Sequence, residues 1–220
     1  MRTAQAPSSG RLADELLPFY DTSDEVAVVV EADVATTWRA LVNADLMEAM
    51  RRAPIAGLLG ALRWLPELLG DLIHGERPPA APTRLTLHDT AALPPGEGGW
   101  VLLGERPAET IALGLVGRFW RPVIDYAAVT ADEFQEFAEP GYAKTIYVLS
   151  VRPLADGRTL LTGLMRTATT DDQARRCRRR TSSSGGTSGA RVVVQALLEL
   201  VREHAEHGID GGEAARIYPS

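Results

Sequence analysis

The side chains best suited to acid–base chemistry are three glutamates on one short predicted helix. Glu133, Glu136 and Glu139 recur at three-residue spacing, and any of them could act as a general base. A general base working near neutrality needs desolvation to raise its pKa, and a short exposed helix does not supply it. The chain has no G-x-S-x-G motif, and Gly57–Gly60 lacks the Lys-Ser/Thr of a phosphate loop. We therefore assign no catalytic residue, and the sequence favours a protein that is not an enzyme without excluding an enzyme.

The histidines and the cysteine do not predict a metal site. His74 and His88 fall in or near loops, whereas His204 and His207 stand at the end of a predicted helix, where they complement its dipole. None of them forms the HExxH pattern that places two histidines and a glutamate around zinc. Cys177 is the only cysteine, so a cysteine-based zinc site is excluded. We expect no metal and no cofactor.

A basic run in the second half of the chain is the strongest charge feature. It could contact phosphate groups, but no aromatic residues interleave with it, and the formal net charge of the chain is −6. A solvated helix face is therefore the preferred interpretation, and we expect no nucleic-acid partner. The run consists of Arg175, Arg176, Arg178, Arg179 and Arg180.

Large apolar side chains on predicted strands are better candidates for binding than the polar groups are for catalysis. Side chains alternate between the two faces of a strand, so only about half of them can line a cavity. We expect a cavity on the order of several hundred Å³ between the strands and a C-terminal helix. The candidate lining residues are Trp100, Phe119, Trp120, Tyr126, Tyr147, Met165 and Leu197.

The elements that position these side chains begin with a strand and a helix. Glu25–Glu31 (EVAVVVE) is rich in β-branched residues and predicts a strand. Asp33 suits an N-cap, because Trp38 and Leu41 after it repeat at helical spacing. At the other end, Ala190–His207 carries one apolar stripe and predicts a long amphipathic helix.

Between these ends lies a run of strands separated by turns rich in glycine and proline. Two capping boxes predict helices: Thr130–Glu133 opens a short helix within the run, and Thr170–Gln173 starts a helix through Arg180 after it. Strands that follow one another closely favour an antiparallel sheet, and helices must cover its apolar face. The sequence therefore predicts an α+β domain with one antiparallel sheet of about six or seven strands around Ala190–His207. The predicted strands of the run are Thr83–His88, Trp100–Glu105, Glu109–Gly117, Val123–Val129, Ala143–Arg152 and Arg158–Ala168.

This order of elements resembles the SRPBCC superfamily, which includes START lipid-transfer domains and polyketide cyclase-like proteins. The opening ADVATTWRALVNADL is similar to the first helix of that superfamily, and the similarity extends from Val26 to Glu206. One departure is that Gly163-Leu164-Met165-Arg166 replaces a Thr-Glu-Thr-Arg pattern, so a carboxylate role there is lost. Three segments resemble an uncharacterised bacterial branch: Leu113–Pro122 (LGLVGRFWRP), Ala131–Lys144 (ADEFQEFAEPGYAK) and Gly157–Asp171 (GRTLLTGLMRTATTD).

The resemblance implies a helix-grip fold, in which a curved antiparallel sheet wraps a long C-terminal helix. It also implies binding of lipids, polyketides or other apolar molecules, without implying a reaction. Our first hypothesis is a non-catalytic protein that binds or carries an apolar small molecule. The alternatives are a polyketide cyclase or aromatase, which a buried polar pair such as Arg166 with Tyr147 would favour, and a protein-interaction module that uses the Leu-rich segment Ile55–Ile73. We expect tails over residues 1–22 and 208–220 and one domain over 23–207.

No segment of the chain predicts a membrane anchor. Met1–Arg11 is polar and lacks the apolar run of a signal peptide. Ala53–Ile73 is apolar, but Arg63, Glu67 and Asp71 fall within it, and charges inside a membrane span are costly. We expect a cytoplasmic protein without integral membrane association, whose oligomeric state the sequence does not determine.

One segment, Thr181–Gly189 (TSSSGGTSG), interrupts the globular pattern. It has little apolar surface to offset the entropy of ordering it between two helices. The preceding QARRCRRR resembles a segment of the same bacterial branch in which apolar residues follow. A one-base shift of reading frame would convert its Thr-Ser and Ser-Ser junctions to apolar codons wherever serine is encoded by TCN. The segment is either a genuine flexible loop or a frameshifted stretch, and a frameshifted stretch should be exposed, irregular and poorly packed.

Overall fold

The computed structural model describes residues 8–53, 84–92, 99–121, 124–182 and 189–208. Several sequence-based predictions fall wholly or partly outside these ranges, namely the Leu-rich segment Ile55–Ile73, residues 1–7 of the expected N-terminal tail and residues 209–220 of the expected C-terminal tail. The segment Thr181–Gly189 is described only at its ends. Thr181 and Ser182 continue one helix and Gly189 begins the next, so the expected irregular backbone is wrong for those three residues.

Six antiparallel strands form one sheet, as the sequence predicts. The strand order is β1-β6-β5-β3-β2, and β4 pairs with one end of β3. The hairpin β5–β6 turns through Asp156 and Gly157, both at positive φ (67° and 76°). The strands are β1 (Thr22–Val30), β2 (Trp100–Arg106), β3 (Thr110–Arg118), β4 (Asp125–Tyr126), β5 (Ala143–Pro153) and β6 (Thr159–Thr169).

Seven α-helices lie in the described ranges, and side-chain caps set where several of them begin. Asp33 accepts a 2.7 Å hydrogen bond from the Thr36 N–H and starts α2, as predicted. Thr130 and Glu133 form the predicted capping box of α5. The helices are α1 (Ser8–Leu16), α2 (Val34–Asn43), α3 (Leu46–Arg52), α4 (Leu87–Ala91), α5 (Ala131–Glu136), α6 (Asp172–Ser182) and α7 (Gly189–His207).

Three local predictions are wrong at these element boundaries. The described part of Thr83–His88, residues 84–88, forms no strand: Thr86 caps α4 with Asp89 in a capping box, and the chain enters a helix there. Within the described part of the predicted strand Val123–Val129, only Asp125–Tyr126 (β4) pair in the sheet. The second capping box, Thr170–Gln173, does not form, because Asp171, not Thr170, accepts the Ala174 N–H at 2.7 Å and caps the helix alone. The Thr170 hydroxyl donates instead to the Tyr142 carbonyl.

The inner face of the sheet, which carries Leu113, Leu149 and Met165, packs against α7. This helix lies over β1 and β6 and is flanked by α2 and α3. Gly163 permits the close approach, because a Cβ there would lie 2.5 Å from Cγ1 of Val194. The α+β class and the helix-grip arrangement are thereby confirmed.

The outer face of the sheet, which carries Ala112, Ile146, Val148 and Leu164, is also covered. Helices α1 and α5 pack on it through the buried side chains Ala13, Leu16, Leu17 and Phe134. The expected loose tail over residues 1–22 is therefore wrong for Ser8–Leu16. Because both faces are covered, eight of the nine residues of β3 are buried.

Asp21 fastens the connection between α1 and β1 to the end of the sheet. Its carboxylate accepts hydrogen bonds from the N–H (2.7 Å) and hydroxyl (2.6 Å) of Thr169 and from Nε of Arg175 (2.7 Å). Burial by itself would raise the pKa of Asp21, but these hydrogen bonds and the charge of Arg175 outweigh it and lower that pKa. The carboxylate form thus stabilises the fold.

No helix within the described ranges combines the length and apolar character that a membrane span requires.

We predict that Gly163→Ala destabilises the protein by about 1–3 kcal/mol, because the added methyl group forces α7 away from β6. Gly104→Ala is the matched control, since a Cβ at Gly104 meets no atom within 4 Å. Urea unfolding of the two variants measures the difference. Equal stability of both variants would show that α7 is not seated through Gly163.

We predict that Asp21→Asn lowers the free energy of unfolding at neutral pH, and that its difference from the wild-type protein becomes smaller in acid. The folded-state pKa of Asp21 lies below the ordinary value of 3.8, so its contribution is complete above that pH and is lost as pH falls through the folded pKa. Urea unfolding of both proteins between pH 6 and about pH 3 follows the convergence. A deficit that stays constant with pH would contradict this role for the charged form.

Candidate functional site

Two aromatic side chains form the centre of the candidate site on the inner face. Trp100 begins β2 and Tyr147 lies in the middle of β5, on opposite sides of β3. Their ring centroids are 5.2 Å apart, with the ring planes tilted by 55°. Tilted contacts at this distance are favourable between aromatic rings. The pair spans β3 and packs against the inner-face apolar cluster, to which α7 contributes Leu197.

Tyr126 on β4 joins this pair from the edge of the sheet. Its ring occupies the space beside Gly99, where any Cβ would overlap it, and Gly99 has a positive φ of 71°. A glycine immediately before β2 is therefore required for this placement. Tyr126 is also close enough to Tyr147 to act on its ionisation.

Tyr147 is desolvated although its side chain keeps accessible surface. Burial, with a smaller electrostatic contribution from Tyr126, raises the pKa of Tyr147 to about 12. The residue is nevertheless only half-buried by accessible area, as is Trp100. Tyr147 is therefore closely surrounded by protein atoms and still keeps part of its accessible surface. Among the described residues, the Tyr147 hydroxyl has no hydrogen-bond partner.

Met165 and Leu197 belong to the same apolar cluster as Trp100 and Tyr147. Met165 pairs with Tyr147 in the β5–β6 register and is 5% exposed, and Leu197 on α7 is 4% exposed. The structure thus brings together five of the seven predicted lining residues. That they line a cavity stays a prediction.

The other two predicted lining residues lie beyond the end of β3. Phe119 is close to the inner face, because a Cβ at Gly117 would lie 3.1 Å from its ring. Trp120 instead lines a cleft of about 280 Å³ beside α6, together with Arg118, Asp171 and Cys177. Trp120 therefore lies apart from the Trp100–Tyr147 pair.

Two clefts formed by described residues lie outside the inner face. One is the cleft at Trp120, and the other, of about 360 Å³, lies on the outer face. The cavity expected between the sheet and α7 stays a prediction, since residues 54–83 lie outside the described part of the chain.

The polar pair that would favour an enzyme is not formed. Arg166 points to the outer face, where its guanidinium bonds Asp14 at 2.7 Å and lies 4.3 Å above the Tyr20 ring. Tyr147 is on the inner face, so the sheet separates the two. Strand alternation could have shown this in advance, because Arg166 directly follows Met165 and must point to the opposite face.

The glutamates that could act as bases are not prepared for that role. Hydrogen bonds from the Thr130 N–H and hydroxyl lower the pKa of Glu133, the direction opposite to that of a base near neutrality. Glu136 and Glu139 are exposed. Within the described residues, no three His, Cys, Asp or Glu side chains cluster in a way that could hold a metal ion.

Comparison with known proteins identifies no family. No family model matches the chain, and no curated protein matches it. Among solved structures, hypothetical protein jhp0584 from Helicobacter pylori is 12% identical with a TM-score of 0.44, covering 93% of this chain and 99% of that one. A conserved protein from Geobacillus kaustophilus is 11% identical with a TM-score of 0.39, covering 84% and 95%.

A truncated norcoclaurine synthase from Thalictrum flavum is also similar. It is 11% identical with a TM-score of 0.36, covering 83% of this chain and 94% of that one. Similarities this low carry no argument about family or function. The resemblance to the SRPBCC superfamily therefore rests on the sequence segments and on the order of the elements.

We predict that Tyr147→Phe flattens the loss of stability at high pH. The folded state holds the Tyr147 proton more tightly than the unfolded chain does, so the hydroxyl's contribution is complete below pH 10.0 and is lost as pH rises towards about 12. Urea unfolding across this range should show that the free energy of unfolding falls more steeply with pH for the wild-type protein than for Tyr147→Phe. The difference in slope should correspond to the release of about one proton. Parallel curves for the two proteins would contradict the desolvation of Tyr147.

Proposed function

We propose that this chain binds an apolar small molecule between the inner face of the sheet and α7, and holds or carries it without catalysis. The observation that carries the proposal is the state of Tyr147, which protein surrounds closely enough to raise its pKa to about 12 while its side chain stays accessible. A core residue packed on all sides would have lost that surface. Trp100, at 5.2 Å, shares this partial accessibility.

The side chains around this position define what kind of molecule fits. Met165, Leu113 and Leu197 are apolar, and the aromatic rings of Trp100 and Tyr147 add flat surface to the wall. Ligand sites of this type are mostly apolar with a few polar groups that orient the ligand. The Tyr147 hydroxyl, which lacks a partner among the described residues, suits one carbonyl or hydroxyl oxygen of an otherwise apolar ligand.

The described residues favour binding over a reaction. Thr145 and Thr167 face inward near the end of the sheet, but their hydroxyls bond each other at 3.0 Å. Arg166, whose pairing with Tyr147 would favour a cyclase or aromatase, lies on the outer face. The third hypothesis, an interaction module built on Ile55–Ile73, concerns residues outside the described ranges.

Binding of the neutral fluorophore N-phenyl-1-naphthylamine tests the proposal. We predict saturable fluorescence enhancement with the wild-type protein and an affinity about tenfold lower for Trp100→Leu, since loss of aromatic contact area weakens apolar binding. Trp120→Leu is the matched control, because it removes the same ring from a different cleft, and its affinity should stay within about twofold of wild type.

Two outcomes would contradict the proposal. One is the absence of saturable binding by the folded wild-type protein, and the other is an equal loss of affinity in both tryptophan variants. Native mass spectrometry of the purified protein complements the titration, since a co-purified apolar molecule would appear as a mass increment that Trp100→Leu reduces.

A further inference from the structure

A second concave site lies on the outer face, on the opposite side of the sheet from the proposed apolar site. This outer cleft has a volume of about 360 Å³ and lies between the end of α1 and the end of α5. Its walls include Leu16, Pro18, Phe19 and Phe137, with Lys144 and Thr170 towards the sheet. The volume is in the range of small-molecule sites.

The outer cleft has an apolar rim that nothing in the described chain covers. Phe19 is 86% exposed, the highest value among the large apolar side chains of the described residues. The neighbouring Phe137 is half-buried and makes an edge-on contact with Tyr142, with ring centroids 5.4 Å apart. The two phenylalanines line the same cleft and offer aromatic surface to a ligand.

Lys144 supplies a positive charge to this apolar site. It is the only lysine in the sequence, and its side chain leaves β5 on the outer face. Its Nζ donates to the carbonyls of Gln135 (2.9 Å) and Phe134 (3.3 Å) at the end of α5. An ammonium group has three N–H donors, so these two contacts leave one for another acceptor.

No carboxylate balances this charge within the described part of the chain, where Lys144 forms no salt bridge. Burial lowers the pKa of the Lys144 amine, which indicates that water solvates the charge incompletely. A buried charge is costly unless it is paired. The outer cleft therefore has a half-buried cation, next to apolar walls, that bonds two carbonyls but no carboxylate of the described residues.

We propose that the outer cleft binds a small apolar molecule that carries one carboxylate, with the carboxylate on the Lys144 ammonium and the apolar part against Phe19 and Phe137. A monoanion fits better than a phosphate, because Lys144 is the only cationic side chain among the described residues that line the cleft, and Glu15 lies in the same wall. A doubly charged group would face that glutamate without a second cation. This site is independent of the proposed site on the inner face.

Calorimetric titration with 4-phenylbutanoate and with its neutral counterpart 4-phenylbutanamide tests the assignment. We predict that Lys144→Met weakens 4-phenylbutanoate binding about tenfold, since a charge-assisted hydrogen bond is lost, and changes amide binding less than about twofold. Lys144→Arg should recover most of the lost affinity. Arg152→Met is the charge-matched control, because Arg152 lies on the same strand and face but outside the outer cleft, and it should bind like wild type.

A second variant separates ligand binding from the capping of α5. If Lys144→Met fails to fold, Phe19→Ala still tests the site, because so exposed a side chain contributes little to stability, and it should weaken both ligands. Trp100→Leu should leave the affinity for 4-phenylbutanoate unchanged, which distinguishes this site from the inner face.

The outcomes that would overturn the proposal are specific. Wild-type protein that does not distinguish the carboxylate from the amide would refute the charge complementarity. A Lys144→Met variant with lowered thermal stability but unchanged affinity would show that Lys144 only caps α5. Loss of 4-phenylbutanoate binding in Trp100→Leu would place the ligand on the inner face instead.

Discussion

The fold depends on burying both faces of the three central strands. β3, β5 and β6 alternate apolar side chains to each side, so a cover on one face alone would leave a second apolar layer in water. α7 supplies the inner cover, and α1 with α5 supplies the outer one. Each cover requires a glycine in the sheet, where the absence of a side chain leaves space for a packing residue. Gly163 admits the side chain of Val194 on one side, and Gly114 admits Phe134 and Leu103 on the other, because a Cβ there would lie within 2.8 Å of them.

The covers of the two faces differ in how completely they bury the sheet, and this difference underlies the two sites that we propose. On the inner face, Leu197, Leu198 and Val201 of α7 are nearly inaccessible, while the aromatic pair at the β2–β5 side keeps open surface. On the outer face, the cover consists of two short helices whose ends do not meet, and the gap between them contains a cation. The proposed inner site is therefore almost wholly apolar, and the proposed outer site combines apolar walls with a single positive charge.

Sequence patterns predict those elements whose local signals agree with their packing. The β5–β6 hairpin combines alternation with a turn at Asp156-Gly157, and Asp33 combines a cap with helical spacing, so both were predictable. Thr83–His88 misleads because its alternation resembles a strand, whereas Thr86 and Asp89 carry the helix-starting signal. α1 has only a few apolar residues. They predict a packed helix only if it is already known that the sheet has an apolar outer face against which they can pack. The placement of Trp120 depends on a turn after β3, and the periodicity of the sequence does not predict the geometry of that turn. The face of the sheet on which Arg166 lies could have been predicted, because side chains alternate along β6.

The pairing of β1 with β6 has a consequence for how the chain reaches this fold. Val30 lies opposite Thr159, so β1 has no partner until β6, more than 120 residues further along the chain, has been made. Until then β1 has unsatisfied edges and exposed valines, which is the condition that favours aggregation and the binding of chaperones. Contacts between residues so distant in sequence also slow folding. The chain loses conformational entropy when the long loop closes, before the hydrogen bonds and packing of the paired strands stabilise it. Expression yield should therefore depend on the rate of translation and on temperature more than on the equilibrium stability of the finished domain.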